Sequence, residues 1–417
     1  MSEPLIVVGA SYAGLQTALS AREAGFAEPI LLLGDEDDLP YQRPPLSKGF
    51  LLGKVTESAL PIRAQQVLDQ HRIEFLPRTR ITAIDRTART VETADGKRIH
   101  YGWLALATGC GARRLPAEGA DLDGVMVLRT LADARALMAR LPGIDSAVII
   151  GGGFIGLEVA ASLTTLGKQV AVVEMQDRLL ARALPPRMSE FLAHAHRRAG
   201  VDLVMRMGVA RLIGNGRRIA AVELTDGRKL DADLVVVGIG ASVNDQMAAA
   251  CGLACGDDIV VDEYARTSDP HIVAAGDCTR HPNRFAGRPI RLESVQNALD
   301  QAKTAGATLA GQLKPYDAVP WFWSDQYDLK LQMVGFSEGH DQAVLRGSPD
   351  DNRFSVFYFR DGTLIGVDSV NAGGDHMAGR QIIPANTPIT PDEAADPSFN
   401  LAALVKAARS RAAAGGR

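Results

Sequence analysis

"LIVVGASYAG" (residues 5–14) and "AVIIGGGFIG" (residues 147–156) decide how this chain reads. Each is an apolar run that breaks into small residues, as a buried parallel strand does where it turns into a helix. The second carries G-x-G-x-x-G in full at Gly151, Gly153 and Gly156, whereas the first keeps Gly9 and Gly14 but places Ser11 between them. In such a loop the first glycine permits a tight turn and the second lets backbone approach a dinucleotide pyrophosphate. The third lets helix pack on strand. The chain holds either one site with a decayed copy or two working sites with different occupants.

Reading outward, the surroundings repeat. The first stretch continues through a helix, "LQTALSAREAGF", to the apolar "PILLLG". A meander follows, with "RITAIDRTARTVET", the turn "ADGK" and "RIHYGWLALATG". The second continues through "LEVAASLTTLG" to "QVAVVE", then "RIAAVEL" and "LDADLVVVGIG" around the turn "TDGR". Fingerprint, helix, acidic end of the second strand, hairpin and apolar strand ending in a glycine turn recur in order. This predicts two doubly wound nucleotide-binding domains of like fold. From about residue 317, "PWFWSDQYDLKLQMVG" and "RFSVFYFRDGTLIGVDSV" predict an antiparallel sheet in a C-terminal α+β domain, and the tail "ARSRAAAGGR" reads as a frayed terminus.

Glu174 lies 23 residues after Gly151, at the end of the second strand, where a carboxylate accepts hydrogen bonds from an adenosine ribose. The same charge repels a 2′-phosphate, which favours NADH over NADPH, with Arg178 close enough in sequence to soften the preference. A lone fingerprint is a weak signal; strand, helix and acid at the right distances make it strong. In the first copy the Ser11 hydroxyl is small and able to donate to a phosphate, and Asp35, after "LLLG", supplies the ribose-binding carboxylate. The stretch "TSDPHIVAAGDCTR" (267–280) separates the two occupants. Its strand ends in Gly276-Asp277, where an acidic side chain can meet a polyol chain, and FAD has a ribityl chain that NAD lacks. Alone, G-D is a turn. Beside two fingerprints and "LALATG" (104–109) it reads as a second flavin contact, so the Ser11 site takes FAD and the Gly151 site takes NADH.

The bulk numbers fit this reading. The chain has 417 residues, 46% hydrophobic and 23% charged, enough for two or three domains with a sizeable core. Lys plus Arg number 45 against 49 Asp plus Glu, a net charge of −4, which argues against nucleic acid or an anionic membrane as partner. "MSEP" leads straight into a strand without a basic, apolar leader, and no apolar run nears the ~20 residues of a membrane span, so a cytoplasmic protein is expected. Cys110, Cys251, Cys255 and Cys278 form no CxxC pair or disulfide framework. Cys251 and Cys255 read as buried residues of a helical, alanine-rich stretch, and no metal site is expected.

Taken together, "GASYAG", "LPYQRPPLSKGFL", "ATG", "GGGFIGLEVA", "VVVGIG", "AAGDC", "RLESVQNALDQAK" and "PWFWSDQYD" resemble the FAD-dependent NADH:ferredoxin reductases of bacterial haem monooxygenase and aromatic-ring dioxygenase systems. The resemblance covers nearly the whole chain. It implies a glutathione-reductase-like architecture. An FAD-binding domain would be built from residues 1–112 and 243–316, with an NAD-binding domain at 113–242 and a C-terminal domain at 317–417. It further implies that Gly9, Ser11, Ala13, Gly14, Asp35, Lys48, Arg129, Asp277, Val295 and Trp323 contact FAD, with Arg43 facing the pyrophosphate. Gly151, Gly153, Gly156, Glu174 and Gly240 would line the path of NADH, NADPH being the weaker alternative.

Lys48 in "PPLSK" and Glu158 in "GFIGLE" would form an ion pair where nicotinamide meets flavin, and are the catalytic candidates. The residues themselves say less. A carboxylate one turn into that helix is costly unless a cation or solvent meets it, and Lys48 alone reads as a surface lysine. The implied acceptor is a 2Fe–2S ferredoxin, with Trp323, Lys303 and Lys406 as docking candidates and Gln332 where family members can carry lysine. Of the two tryptophans in "PWFW", one is expected in the core and one exposed. The segment "DLPYQRPPLSKGF" contains no sulfur, unlike the dithiol, peroxide-linked and coenzyme-A-linked relatives of this architecture, so electrons would leave without a disulfide relay. Monodehydroascorbate reductase and NADH:rubredoxin reductase share much of the pattern. An NADH-sensing flavoprotein of the apoptosis-inducing type is a more distant alternative.

Overall fold

The structure, a computed structural model, describes residues 3–415, with side chains to residue 410. The first two residues of "MSEP" and the last two of the basic tail therefore lie outside the described residues. The chain forms two compact units. One takes the chain up to Gln42 with Ser58–Gly111 and Ser242–Pro320, the other Arg43–Glu57, Ala112–Ala241 and the chain from Trp321 onward.

The first unit is built on an all-parallel sheet in the order Ile73–Leu76, Ile30–Leu33, Leu5–Val8, Trp103–Leu106, Ile272–Ala274. Its central strand, LIVV, is buried throughout because both faces are covered, which is why it reads as an unbroken apolar run rather than an alternating one. Leu5 and Val7 join one core with the helix Tyr12–Glu23, while Ile6 and Val8 join another with Ile84 and Val91 of an antiparallel three-stranded meander. The helix Val295–Leu309 crosses Tyr12–Glu23 closely at Gly306, where a Cβ would stand 2.6 Å from the Ala21 backbone nitrogen.

In the second unit the same plan recurs, with parallel strands in the order Asp202–Met205, Gln169–Glu174, Ser146–Ile150, Leu234–Val237, Val125–Met126. Again a three-stranded antiparallel layer, from Val209 to Asp231, covers one face. From Trp321 the chain forms a five-stranded antiparallel sheet in the order Trp321–Gln326, Leu329–Gly335, Thr363–Val370, Arg353–Arg360, Gln342–Ser348. The helices Gly373–Ala385, Pro391–Ala395 and Leu401–Gly415 follow it. The fold is α/β, two doubly wound nucleotide-binding folds plus a C-terminal α+β part.

Period-2 alternation organises the strand Trp321–Gln326. Phe322, Ser324 and Gln326 meet Phe154, Glu158 and His196 of the helices Phe154–Thr165 and Pro186–Arg198. Trp321 and Trp323, two residues apart, share the opposite face with ring centroids 5.5 Å from one another, and Arg380 lies over the Trp321 ring. Both tryptophans are thus half-buried, not one in the core and one exposed. The cysteine pair also differs from expectation. The helix there spans only Gln246–Ala250 and gives way at Gly252, whose φ of +80° ends it, so Cys251 and Cys255 lie beyond the helix and are half-buried. The tail read as frayed is helical in backbone through Gly415. Among the described residues no helix is long and apolar enough to cross a membrane.

Candidate active site

The two glycine loops are superimposable in their logic. Gly9 and Gly151 have φ of +107° and +108°, and a side chain at either would collide with backbone, 2.1 Å from the Ala107 oxygen and 2.4 Å from the Gly238 oxygen. Gly14 and Gly156 face the turn from the helix, where a Cβ would lie 1.8 Å from the Gly9 oxygen and 2.2 Å from the Gly151 oxygen. The middle position is different. Ser11 and Gly153 are helix N-caps with φ of −128° and −83°, ordinary values for any L-residue. A Cβ at Gly153 would come no nearer than 4.0 Å to another residue. The chain itself therefore demands the first and third glycines and leaves the middle one to whatever sits above the helix N-terminus. Open space at Gly153 over a helix N-terminus fits a pyrophosphate.

An acidic residue stands at the end of each second strand, Glu174 as its last residue and Asp35 two residues beyond Leu33. Glu174 Oε2 accepts from the Gly152 N–H and Oε1 from the Gln176 N–H, both at 2.7 Å, so the carboxylate is fixed against its own glycine loop. Asp35 comes one register position later, because Leu33 pairs with Val8 as Val173 pairs with Ile150, and it is exposed. Gly34 takes the position of Glu174, hard against the Ala10 Cβ. Arg178 donates to the Leu184 and Ala181 carbonyls and to Ser189 Oγ, so this cation is committed to its own loop rather than poised to accept a 2′-phosphate. Gly240 adopts φ of +107° with Arg182 Nη2 as the nearest neighbour to a side chain there, 3.7 Å away.

In the first unit, Gly276 turns with φ of +89° and abuts Ala13, whose Cβ would be 2.9 Å from a side chain at 276. The Gly276 N–H donates to Gln301 Oε1 at 2.8 Å, which also takes the Thr279 hydroxyl. This places Asp277 next to the Ser11 loop, with Cys110 Sγ 3.5 Å from its Oδ2. Val295 opens the helix Val295–Leu309, capped by Ser294 Oγ, which accepts from the Asn297 N–H.

The turn Pro44–Ser47 brings Lys48 to Glu158 in the second unit. Lys48 Nζ lies 2.6 Å from Glu158 Oε2, with side chains 17% and 6% exposed. Ser47 Oγ donates to the same oxygen at 2.5 Å and Ser324 Oγ to Oε1 at 2.7 Å. Ser162 Oγ donates to the Ser47 carbonyl and pins the turn to the helix that carries Glu158. A buried carboxylate with one ammonium and two hydroxyls around it is compensated as burial requires. Phe154, one turn earlier, packs at a tilt against Phe322, with ring centroids 4.7 Å apart. Arg43 Nη1 donates to the Arg129 carbonyl at 2.7 Å, bringing those two candidates together.

Of the docking candidates, Trp323 and Lys406 belong to the second unit and Lys303 to the first, where its Nζ is 2.8 Å from Asp300 Oδ1. Lys406 is exposed. Among the described residues no cluster of His, Cys, Asp and Glu could hold a metal ion. Sequence reasoning missed Ser47, Ser162 and Ser324. The usable signals were the adjacency of Ser47 to Lys48 and the polar Ser324 on the inward period of an otherwise aromatic strand.

Comparison with known proteins identifies the family. The profile of the family described as pyridine nucleotide-disulphide oxidoreductase matches residues 3–302, and that described as reductase C-terminal matches residues 321–405. Rhodocoxin reductase of Rhodococcus erythropolis is 45% identical over 397 residues, covering 95% of this chain and 93% of that protein. Among solved structures, the ferredoxin reductase for the CYP199A2 system of Rhodopseudomonas palustris matches with a TM-score of 0.94 and 43% identity, over 97% of this chain and 100% of that one. Putidaredoxin reductase in its covalent complex with putidaredoxin matches with a TM-score of 0.94 and 38% identity, over 98% and 99%. The chain belongs to the FAD- and NAD(H)-dependent ferredoxin reductases of the pyridine nucleotide-disulphide oxidoreductase family.

Proposed function

We propose that this protein is a cytoplasmic reductase that moves electrons from NADH through FAD to a 2Fe–2S ferredoxin, which in turn feeds a haem monooxygenase or a ring-hydroxylating dioxygenase. The observation that carries the reading is the conjunction of two nucleotide cradles with one buried, fully compensated Lys48–Glu158 pair. FAD, when bound, supplies the chemistry of accepting a hydride and releasing electrons singly.

The chain's own residues bind, orient and balance charge. Gly9, Ser11, Ala13, Gly14, Asp35, Asp277 and Val295 would hold FAD, with Arg43, Lys48, Arg129 and Trp323. Gly151, Gly153, Gly156, Glu174 and Gly240 would hold NADH. Glu174, fixed by two backbone N–H groups, opposes a 2′-phosphate, and Arg178 is unable to offset it while bound to its own loop. Lys48 presents a positive charge where negative charge develops during reduction, and Glu158 keeps that ammonium in place. No thiol takes part. Cys278 is buried, and burial pushes its thiol up, away from the reactive thiolate.

Ferredoxin docking is proposed at Trp323, Lys303 and Lys406, basic and aromatic groups suited to an acidic partner. The test is NADH-driven reduction of cytochrome c by the purified protein, with and without a bacterial 2Fe–2S ferredoxin. Large, saturable stimulation by ferredoxin is expected. Absence of stimulation by several ferredoxins, while NADH still bleaches the flavin, would overturn the assignment of the acceptor.

A further inference from the structure

Glu158 does not end at its salt bridge. Its Oε1 accepts from Ser324 Oγ, and Ser324 Oγ lies 3.1 Å from Gln326 Nε2. Gln326 Oε1 lies 2.8 Å from His196 Nε2, and His196 Nδ1 lies 3.0 Å from the Tyr327 hydroxyl. Ser324, Gln326 and His196 are each no more than 2% exposed. With His196 neutral, one arrangement of protons satisfies all four contacts. A carboxylate accepts and never donates, so Ser324 spends its proton on Glu158 and must accept from the Gln326 amide. The Gln326 carbonyl then accepts from His196 Nε2–H, which leaves Nδ1 to accept from Tyr327. Every donor points toward Glu158. Burial pushes the His196 imidazole down, with the Gln326 contact opposing, and pushes the Tyr327 phenol up to about 12, so both are neutral and suited to these roles.

The backbone supports the same conclusion. Tyr327 occupies the two-residue turn between paired Gln326 and Leu329 with φ of +58°, a left-handed value that glycine or asparagine adopts far more readily than a bulky aromatic residue. Strain of this kind persists where the side chain is needed. Its ring stands edge-on to His196 at 5.1 Å, and the row ends at a surface groove lined by Ala195, Arg198, Tyr327, Asp328 and Asn352.

The geometry points to Ser324, Gln326, His196 and Tyr327 as a single positioning array, a buried row of donors of one polarity that fixes the Glu158 carboxylate and, through it, the Lys48 ammonium. The inference rests on the reading of Lys48 and Glu158 as the pair that serves flavin reduction. None of the four touches the cofactors in this scheme; they act through Glu158. Aligned hydrogen bonds polarise one another, so the row is stiffer than its separate links.

The experiment pairs a spectroscopic readout with a rate. In the oxidised, flavin-loaded protein, ring ¹⁵N NMR of His196 should show the Nε2–H tautomer. Ser324→Ala removes the acceptor of the Gln326 amide, so the amide is free to turn over and His196 should shift toward Nδ1–H. Stopped-flow reduction of the flavin by saturating NADH should slow roughly tenfold, the order expected for one hydrogen bond to a buried charge, with half-saturation unchanged. Ser324→Thr, which keeps the hydroxyl, should restore both. Tyr327→Phe, which deletes one oxygen and spares the fold, should slow reduction about threefold. Unchanged tautomer and rate in Ser324→Ala, or a tautomer switch with no change of rate while Glu158→Gln is slow, would overturn the positioning role. A Glu158→Gln protein that is reduced at the wild-type rate, with the tautomer switch intact in Ser324→Ala, would instead overturn the role given to the ion pair.

Discussion

Replacing Lys48 with methionine puts the central pair to a quantitative test. Methionine keeps most of the stem and deletes the charge, leaving a Glu158 carboxylate only 6% exposed. Removing one member of a buried pair ordinarily costs about 3–5 kcal/mol, because the remaining charge is left without compensation. Here Ser47 and Ser324 still donate to Oε2 and Oε1, and the lysine is itself 17% exposed, so the loss should be smaller, about 2–3 kcal/mol. Adding Glu158→Gln removes the stranded charge, and the double variant should recover about 1–2 kcal/mol relative to Lys48→Met alone. Urea unfolding of the flavin-loaded proteins, in excess FAD, measures all three differences. Simple additivity of the two single losses would refute the claim that the residues stabilise each other. On the catalytic side, flavin reduction by NADH should slow roughly 100-fold in Lys48→Met, equivalent to about 2.7 kcal/mol of activation free energy, while FAD retention changes little. Wild-type rates in both Lys48→Met and Glu158→Gln would remove the pair from the mechanism.

Three further outcomes are expected. Gly156→Ala should abolish NADH binding and destabilise the second unit, since its Cβ would stand 2.2 Å from the Gly151 oxygen, whereas Gly153→Ser should fold normally and weaken NADH by about tenfold; equal thermal stability of the two variants would contradict the steric argument. Glu174→Ser should raise the NADPH-to-NADH ratio of kcat/KM by at least about tenfold, because it removes the charge opposing a 2′-phosphate, and an unchanged ratio would mean that selectivity lies elsewhere. Asp368 is buried, burial pushing its carboxyl up to about 7 against the hydrogen bond that Tyr358 donates to it at 2.8 Å. The folded state thus holds this proton more tightly than the unfolded chain, whose aspartate titrates near ~3.9. The stability it confers is full below about pH 4 and is lost as pH rises through about 7. Asp368→Asn should match wild type in Tm at pH 4 and exceed it by a few degrees at pH 8, and a shift of equal size at both pH values would refute the linkage.

Much of the fold is legible from local rules, and what escapes is long-range. The strands LIVV and SAVII announce themselves because burial on both faces requires unbroken apolar runs. Glu158 is readable as a residue in need of a partner, but two of the groups that satisfy it, Ser47 and Ser324, come from 111 and 166 residues away. A serine carries no periodic signature, so only the folded chain shows that both hydroxyls converge on one carboxylate. Composition misleads at Cys251 and Cys255. The alanine-rich stretch favours a helix, yet that helix stops at Ala250, with Cys251 at its cap and Gly252, at positive φ, turning the chain away before Cys255. The two tryptophans could have been placed from the sequence alone, since residues i and i+2 of a strand share a face.

The substitution at Ser11 shows which parts of a motif belong to the protein and which to its ligand. Backbone collisions at Gly9, Gly14, Gly151 and Gly156 make those four positions a condition of folding, whatever is bound. Nothing in the chain makes such a demand at position 11 or 153, where both residues hold ordinary extended conformations at the head of a helix. Tolerance of a side chain at either position would depend on how closely the proposed ligand must approach and how many other contacts hold it. If, as proposed, FAD is a resident held by contacts spread over Ala13, Asp35, Asp277 and Val295, one hydroxymethyl group near its pyrophosphate would be a small change. For NADH, which must arrive and leave in each turnover, the open path over Gly153 matters more. The asymmetry between the two loops is thus the expected consequence of one permanent and one transient occupant, and the opposite pair of substitutions, Ser11→Gly and Gly153→Ser, should be respectively near-silent and costly.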